Sequence, residues 1–282
     1  MYSEKLIRIG SRKLKKCQIN TSRLDSEILL SNLTGKSRDF LTINPKFKVE
    51  KSCVKDFNNL ITKRGISKEP IAYIIKKKDF WNSQLYIDKN ALIPRPETEI
   101  LIEKLSSIFK DKKLFILDVG TGSGCIITSL LEELKYSKGV AIDISSKALK
   151  VAKKNAYTNK TIDRIKFINI SIDKLYHYKF DLIVSNPPYI ARHQLKNLQD
   201  DIKNFEPKIA LDGGNDGLDV MRKVIYKSRK ILKINGMLAL EIGNGQYKKV
   251  SQILKLNKFR EKFLINDYKN NIRCIFSALN HY

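Results

Sequence analysis

After Asp111 the chain settles into an alternation of strand-length apolar runs and segments of helical period. Leu114-Phe-Ile-Leu-Asp-Val119 reads as a first strand and 126–134 as the helix after it. Gly139-Val-Ala-Ile-Asp143 is the second strand, and Ser145 or Ser146 caps a helix carrying Ala148, Val151, Ala152 and Ala156. Further strands are expected at 165–170, 180–185 and 236–241, with a helix around 218–232 before the last of them. Strands apolar at nearly every position suit a sheet covered on both faces, and strand–helix alternation is the signature of parallel strands layered by helices. The fold class is therefore α/β. Two late β segments, near 260–266 and 272–277, lie close enough together to form an antiparallel hairpin at one end of that sheet.

The N-terminal quarter has a different period. Residues 1 to about 65 read as helical, with Leu24, Ile28, Leu29 and Leu33 on one stripe and Val54, Phe57, Leu60 and Ile61 on another. Ser22-Arg-Leu-Asp25 resembles a capping box and Gly35 a helix stop, while Lys63-Arg64-Gly65 places cations in a last turn before a glycine. Gly35-Lys36-Ser37 is not a phosphate loop, because Leu30 stands where that motif needs a glycine. From Pro70 to Ile93 the period changes again. Ile71-Ala-Tyr-Ile-Ile75 and Gln84-Leu-Tyr-Ile87 read as a pair of strands or an extended hinge. In Ile93-Pro94-Arg95-Pro96-Glu97-Thr98-Glu99 the prolines fix an extended entry, and Thr98 or Glu97 can start the helix through Leu101, Leu105 and Ile108. The organisation expected is a helical N-terminal domain at 1–69, a hairpin-like connector at 70–93 and an α/β domain at 94–282.

Three features carry chemistry. The strand Phe180-Asp-Leu-Ile-Val-Ser185 runs into Asn186-Pro187-Pro188-Tyr189. Two prolines cannot continue a central ladder, so the chain turns rigidly at the strand's carboxyl end, which is where open α/β sheets bind ligands. Asn186 and a neighbouring carbonyl can accept the two hydrogens of a planar NH2 group while Tyr189 covers a face. The loop Asp118-Val-Gly120-Thr121-Gly122-Ser123-Gly124 joins a strand to a helix, and its glycines let backbone N–H groups approach a ligand. A dinucleotide fingerprint would want glycine at 125, where Cys125 stands. Asp143 closes the next strand at the distance where an acidic residue accepts hydrogen bonds from ribose hydroxyls. Ribose without pyrophosphate points to a mononucleoside cofactor such as S-adenosylmethionine.

Composition sets the outer bounds. A chain of 282 residues with 42% hydrophobic and 29% charged residues is globular, and no apolar run approaches a membrane span. The basic N-terminus never gives way to a signal-type apolar core, so the chain reads as soluble and cytoplasmic. Cys17, Cys53, Cys125 and Cys274, with His177, His193 and His281, are too dispersed for a zinc site or a disulfide framework, and four reduced thiols are expected. The net charge of +25 comes from lysines spread over the whole chain, without an arginine-rich block or a basic stretch interleaved with aromatics. It reads as compositional.

Taken in order, Ile93-Pro-Arg-Pro-Glu-Thr-Glu99, Asp118-Val-Gly-Thr-Gly-Ser-Gly124, Asn186-Pro-Pro-Tyr189 and Phe205-Glu-Pro207…Leu211-Asp-Gly-Gly-Asn-Asp-Gly217 are similar to the motifs of the bacterial peptide chain release factor glutamine methyltransferases, the PrmC/HemK family. The resemblance covers nearly the whole chain. It implies a class I S-adenosylmethionine-dependent methyltransferase fold, Rossmann-like, behind a small helical domain. The implied reaction is N5-methylation of the glutamine in the Gly-Gly-Gln motif of class 1 release factors, with S-adenosylhomocysteine as the second product. It also implies a cofactor set of Gly120, Thr121, Gly122, Ser123, Gly124, Asp143 and Asn186, catalytic roles in Asn186, Pro187, Pro188 and Tyr189, and substrate contacts from these four with Arg95 and Glu97. A monomer without a metal is expected, since a sulfonium is already a strong electrophile. Lys76, Asn82 and Lys269 stand where that family tends to carry glycine, and Asn169-Ile-Ser-Ile172 lacks its usual acidic residue. Asn-Pro-Pro-Tyr is shared with adenine N6 methyltransferases of nucleic acids, which is the alternative reading. Those enzymes need a region that reads or flips a base, where this chain offers amphipathic helices.

Overall fold

The computed structural model describes residues 1–279; His281 lies outside them. The chain divides into two units, residues 1–76 with 199–205, and residues 77–198 with 206–279.

The first unit is helical. It contains α1 (Ser3–Lys16), α2 (Ser22–Thr34), α3 (Arg38–Ile43), α4 (Lys51–Thr62) and α5 (Ile71–Ile75). Leu6, Ile7, Leu14, Leu29, Leu30, Leu41, Phe57 and Ile61 form its core. At Gly10 an added Cβ would stand 2.7 Å from the Phe57 ring, so α1 lies against α4 at a distance only glycine permits. Three expectations need correction here. Asp25 does not close a capping box: it is buried and ion-paired at 2.8 Å with Arg64. Arg64 and Gly65 do not form a solvated helix end either. They sit in a π turn, Lys63–Ser67, and the guanidinium also donates to the Lys68 and Glu69 carbonyls. A buried charge keeps its partner close because isolation in an apolar core costs far more than an exposed terminus would gain. Finally, Ile71–Ile75 is helix, not strand: Pro70 caps it, and Ile71, Ile74 and Ile75 turn their side chains onto the helical core.

The second unit opens with the hairpin β1 (Lys77–Phe80) and β2 (Ser83–Tyr86). Lys76 itself adopts the left-handed conformation that a glycine would have supplied (φ 57°), and in the hairpin turn the same burden falls on Trp81 (φ 54°), not on Asn82. The Trp81 indole and the Asn82 amide both donate to Glu133, fixing the turn. In the late hairpin Asn270, next to Lys269, takes the positive φ. The rest of the unit comprises α6 (Pro96–Ile108), β3 (Phe115–Val119), α7 (Cys125–Glu133), β4 (Lys138–Asp143), α8 (Ser146–Thr158), β5 (Ile165–Asn169), β6 (Phe180–Ser185), α10 (Asp219–Ile231), β7 (Leu232–Glu241), α11 (Tyr247–Leu256), β8 (Phe259–Asn266) and β9 (Ile272–Leu279), while α9 (Asp200–Phe205) belongs to the first unit.

Seven strands form one sheet in the order β5-β4-β3-β6-β7-β9-β8. The first five are parallel, while β9 inserts antiparallel between β7 and β8. Apolar residues pack on both faces, Ile183, Leu238 and Met221 on one side and Leu101, Ile127 and Leu182 on the other. Ser145 caps α8 by accepting from the Ala148 N–H, as the sequence indicates. Strand order reverses between β3 and β6, so the loops after these neighbours diverge and leave a crevice at their carboxyl ends. Among the described residues no helix is long and apolar enough to cross a membrane.

Candidate active site

β3 and β6 are paired in register with Val119 opposite Ser185, whose hydroxyl donates to the Val119 carbonyl at 2.8 Å. The next residue on each strand is therefore Gly120 and Asn186. Two motifs 66 residues apart are thus brought side by side at the switch point of the sheet. Both line a cavity of about 440 Å³ that also takes in Gly122, Asp143, Pro188 and Ile172.

Gly120, Gly122 and Gly124 all have positive φ, between 56° and 78°. The Gly120 and Thr121 N–H groups return to the Ile142 carbonyl, which folds the loop across the end of β4. Asp143 accepts from the Gly122 N–H through one carboxylate oxygen at 2.9 Å and from the Ser145 N–H through the other at 2.8 Å. Each oxygen keeps a second lone pair, an acceptor pair that fits the vicinal hydroxyls of a ribose. Burial pushes the Asp143 pKa up, against the backbone N–H groups that favour its ionised form. Ile144, Ile170 and Ile172 give the cavity an apolar wall, and the Asn169 amide ties β5 to the Asp143 carbonyl at 2.8 Å. An aromatic base would find flat apolar contact there, with Ser171 as a polar neighbour.

The remaining loop residues act from behind. Thr121 donates to buried Asp118 at 2.6 Å, and the Ser123 carbonyl accepts from Asn155, which also grips the Tyr86 backbone in both directions. Gly124 packs on α8: an added Cβ would stand 3.0 Å from the Ala152 Cβ at a φ of 78°. Gly124→Ala is expected to lower the unfolding free energy by about 1–3 kcal/mol, from the left-handed backbone and the contact together. A denaturant melt unchanged from the parent would contradict this.

Burial carries the Asp118 carboxyl up to about 7, with the Thr121 hydroxyl opposing the shift. Between the unfolded value near 3.8 and about 7 the folded state keeps a proton that the unfolded chain has lost. The stability Asp118 contributes is thus complete below that window and falls as pH rises through it. Asp118→Asn removes the titration, so the variant's stability relative to the parent is expected to rise from pH 5 to pH 8. A difference equal at both pH values would show that Asp118 does not titrate there.

Beyond β6, Pro187 is buried, and Asn186, Pro188 and Tyr189 are half-buried. The Asn186 Nδ2 donates to the Thr98 hydroxyl at 3.2 Å, and Thr98 donates to Glu241 at 2.6 Å. Thr98 is thus not the helix cap the sequence offers; α6 begins after Arg95 without a side-chain cap. Glu241, at the end of β7, is fully buried and ion-paired at 3.2 Å with Arg273 of β9. Arg273 donates to the Tyr189 hydroxyl at 2.8 Å. Gln246 accepts from the Gly243 N–H and donates to the Tyr189 carbonyl. The Leu211–Gly217 segment lies under the turn. The Ile190 N–H donates to the Leu211 carbonyl and the Ile190 carbonyl accepts from the Gly213 N–H, and a Cβ on Gly213 would stand 2.8 Å from the Pro188 carbonyl.

Arg95 and Glu97 are not cavity-lining residues. The Arg95 guanidinium is held at 2.6 Å by Glu206, whose other oxygen accepts from the Ile93 N–H, so the Pro-Arg-Pro and Phe-Glu-Pro motifs are clamped together. Sequence reading missed Glu241 and Arg273, which lie on strands that look ordinary. The only signal was an acidic residue inside an otherwise apolar run. Cys125 and Cys274 are not poised for attack: burial pushes Cys125 up to about 12 and raises Cys274 as well.

A family model described as "PrmC N-terminal domain" matches residues 5–75, and one described as "Methyltransferase small domain" matches residues 96–204. A release factor glutamine methyltransferase of Clostridium acetobutylicum is 41% identical over 83% of this chain and 84% of its own length. The chain belongs to the release factor glutamine methyltransferase family. It is also 36% identical, over 93% of its length, to a bifunctional methyltransferase of Rickettsia prowazekii, of which it spans 54%. The chain therefore spans about half the length of these bifunctional members. Among solved structures, the hMettl16 catalytic domain in complex with MAT2A 3′UTR hairpin 6 aligns with a TM-score of 0.58 at 15% identity, covering 89% of this chain and 92% of that one. At that identity the likeness speaks to the class I methyltransferase fold alone.

Proposed function

We propose that this protein methylates the side-chain amide nitrogen of a glutamine, the one in the Gly-Gly-Gln motif of class 1 release factors, with S-adenosylmethionine as donor. The observation that carries this reading is the shared cavity: Asp143 and the glycine loop form one wall, and Asn186 and Pro188 stand beside them. A nucleoside held on the first wall places its substituent toward the second. When bound, S-adenosylmethionine supplies a methyl group on a sulfonium, an electrophile needing no further activation.

The task left to the chain is positioning a poor nucleophile. A carboxamide nitrogen shares its lone pair with its carbonyl, so it reacts only when held in line with the methyl carbon. The Asn186 Nδ2 is engaged by Thr98, which leaves Oδ1 to accept from the substrate NH2. The Pro187 carbonyl is the natural acceptor for the second hydrogen. Two acceptors on one NH2 fix its plane and raise electron density on nitrogen as the N–C bond forms. The nitrogen's proton leaves after transfer, so no strong base is required. The Tyr189 ring, braced by Arg273, covers the amide plane. The rigid proline pair keeps these groups from relaxing away between turnovers.

The same acceptors would suit the exocyclic amine of adenine. Family membership favours glutamine, as do the names of relatives aligned over most of their length. The test is to incubate the protein with methyl-labelled S-adenosylmethionine and, separately, a release factor with its Gly-Gly-Gln intact, the same factor with that glutamine changed to alanine, and adenine-containing DNA and RNA. Label in the intact factor alone is expected. Label on nucleic acid, with none on the factor, would overturn the reading.

A further inference from the structure

The polarity of the Asn186 amide is a chemical choice, since its two ends differ only in which atom donates. An outward Oδ1 receives an NH2; an outward Nδ2 would repel one. We propose that Glu241, Thr98 and Arg273 form a positioning relay that sets this polarity and anchors Tyr189 at the same time. The inference rests on the amide-methylation reading and assigns roles to three residues beyond the Asn-Pro-Pro-Tyr turn.

The relay begins with charge. Glu241 is completely buried, which pushes its pKa up, and Arg273, itself largely buried, stands 3.2 Å away and with the Thr98 hydroxyl opposes that rise in favour of the carboxylate. A carboxylate only accepts. Thr98, 99% buried, must therefore direct its single proton to Glu241, as the 2.6 Å contact requires. Its hydroxyl oxygen then meets Asn186 as an acceptor, and Asn186, on which the Glu241 carboxylate also acts directly, must answer with Nδ2, at 3.2 Å from Thr98. With the amide reversed, Oδ1 would face an oxygen that has no proton to give. The direction of donation thus passes from a buried carboxylate, through one hydroxyl, to the face that meets substrate.

Arg273 carries a second branch. The Nη2 that pairs with Glu241 also donates to the Tyr189 hydroxyl at 2.8 Å, and its guanidinium carbon lies 5.1 Å from the ring centroid. One ion pair therefore holds both the first and the last residue of the tetrapeptide. Buried ion pairs are poor contributors to stability compared with apolar packing of similar volume. Here the pair sits at the carboxyl end of β7 and the amino end of the antiparallel β9, next to the candidate site, where directional control has a use.

The relay predicts effects that a loss of packing would not produce. Thr98→Val keeps the shape and removes the hydroxyl, so kcat is expected to fall about tenfold to a hundredfold, the scale of a misaligned nucleophile. Affinity for S-adenosylmethionine stays unchanged, and Thr98→Ser restores turnover to within a few-fold of the parent. In Glu241→Gln the new amide turns its oxygen to Arg273 and its NH2 to Thr98. Thr98 then donates to Asn186 and the outward atom becomes Nδ2, so kcat falls at least as far. Equal loss in Thr98→Val and Thr98→Ser would overturn the relay. A measurement free of catalysis is the NMR contact between the Asn186 side-chain NH2 and the Thr98 methyl in the full chain. Its presence in the parent and its loss in Glu241→Gln are expected; its absence from the parent would refute the assigned polarity. If the parent labels no release factor, the reading of function fails while the NMR experiment still decides the relay. If the parent labels the factor and Thr98→Val turns over normally, the relay alone fails.

Discussion

Asn186→Ala is expected to lower kcat for methyl transfer by on the order of 10²–10³-fold, with only a modest change in affinity for S-adenosylmethionine. The magnitude is that of removing one preorganised group aimed at a developing charge. Three features of the structure argue for such a large effect. Asn186 is held at its Nδ2 by Thr98, so its Oδ1 requires no rearrangement to meet an incoming NH2. It follows directly on a buried strand and precedes two prolines, so neither neighbour can move to replace it. It stands beside Gly120, which places the accepted nitrogen next to the donor wall of the cavity. Alanine keeps the backbone and deletes only the acceptor. Steady-state kinetics with the release factor, alongside calorimetric titration of the cofactor, separates the two quantities. Turnover near that of the parent would show that the amide does not hold the nucleophile.

Asp143→Ala is expected to weaken S-adenosylmethionine binding by on the order of 10²-fold or more. Two hydrogen bonds to an ionised carboxylate, at about 1.5 kcal/mol or more each, amount to that factor. Each oxygen already accepts one backbone N–H, from Gly122 or Ser145, so the carboxylate is fixed before any ligand arrives. The variant also leaves those two N–H groups without their acceptor, and the glycine loop loses its tether to the end of β4. A fall in thermal stability should therefore accompany the loss of affinity. Titration calorimetry giving a Kd within about threefold of the parent would remove Asp143 from the cofactor site.

These two residues differ in how much of their setting could be read in advance. Asp143 was marked by its place at the end of a second apolar run after a glycine loop, a purely local pattern. Asn186 was marked by the prolines behind it. Neither pattern could show that β3 and β6 are neighbours, because β4 and β5 intervene in sequence. That adjacency follows from the crossover back over β3, and it turns two motifs into one cavity. Where the sequence misled, a local signal was outweighed by burial. Ile71–Ile75 has the composition of a strand, yet three isoleucines at helical spacing had a helical core to join. Thr98 and Asp25 are residues that cap helices well, and each found a stronger partner in a buried charge, Glu241 or Arg64.

The sequence alone determined the α/β class, the helical N-terminal region, the order of the strands along the chain and the loops in which chemistry resides. These depend on hydrophobic period and on glycine and proline, whose backbone effects act within a few residues. Tertiary structure alone decided which loops meet, that β9 enters the sheet between β7 and β8, and that Arg273 thereby faces Glu241 beneath Asn186 and Tyr189. Pairing between distant strands is set by packing of the whole sheet, and the polarity of the half-buried Asn186 amide by the charged group behind its hydrogen-bond partner. Neither leaves a pattern in neighbouring residues.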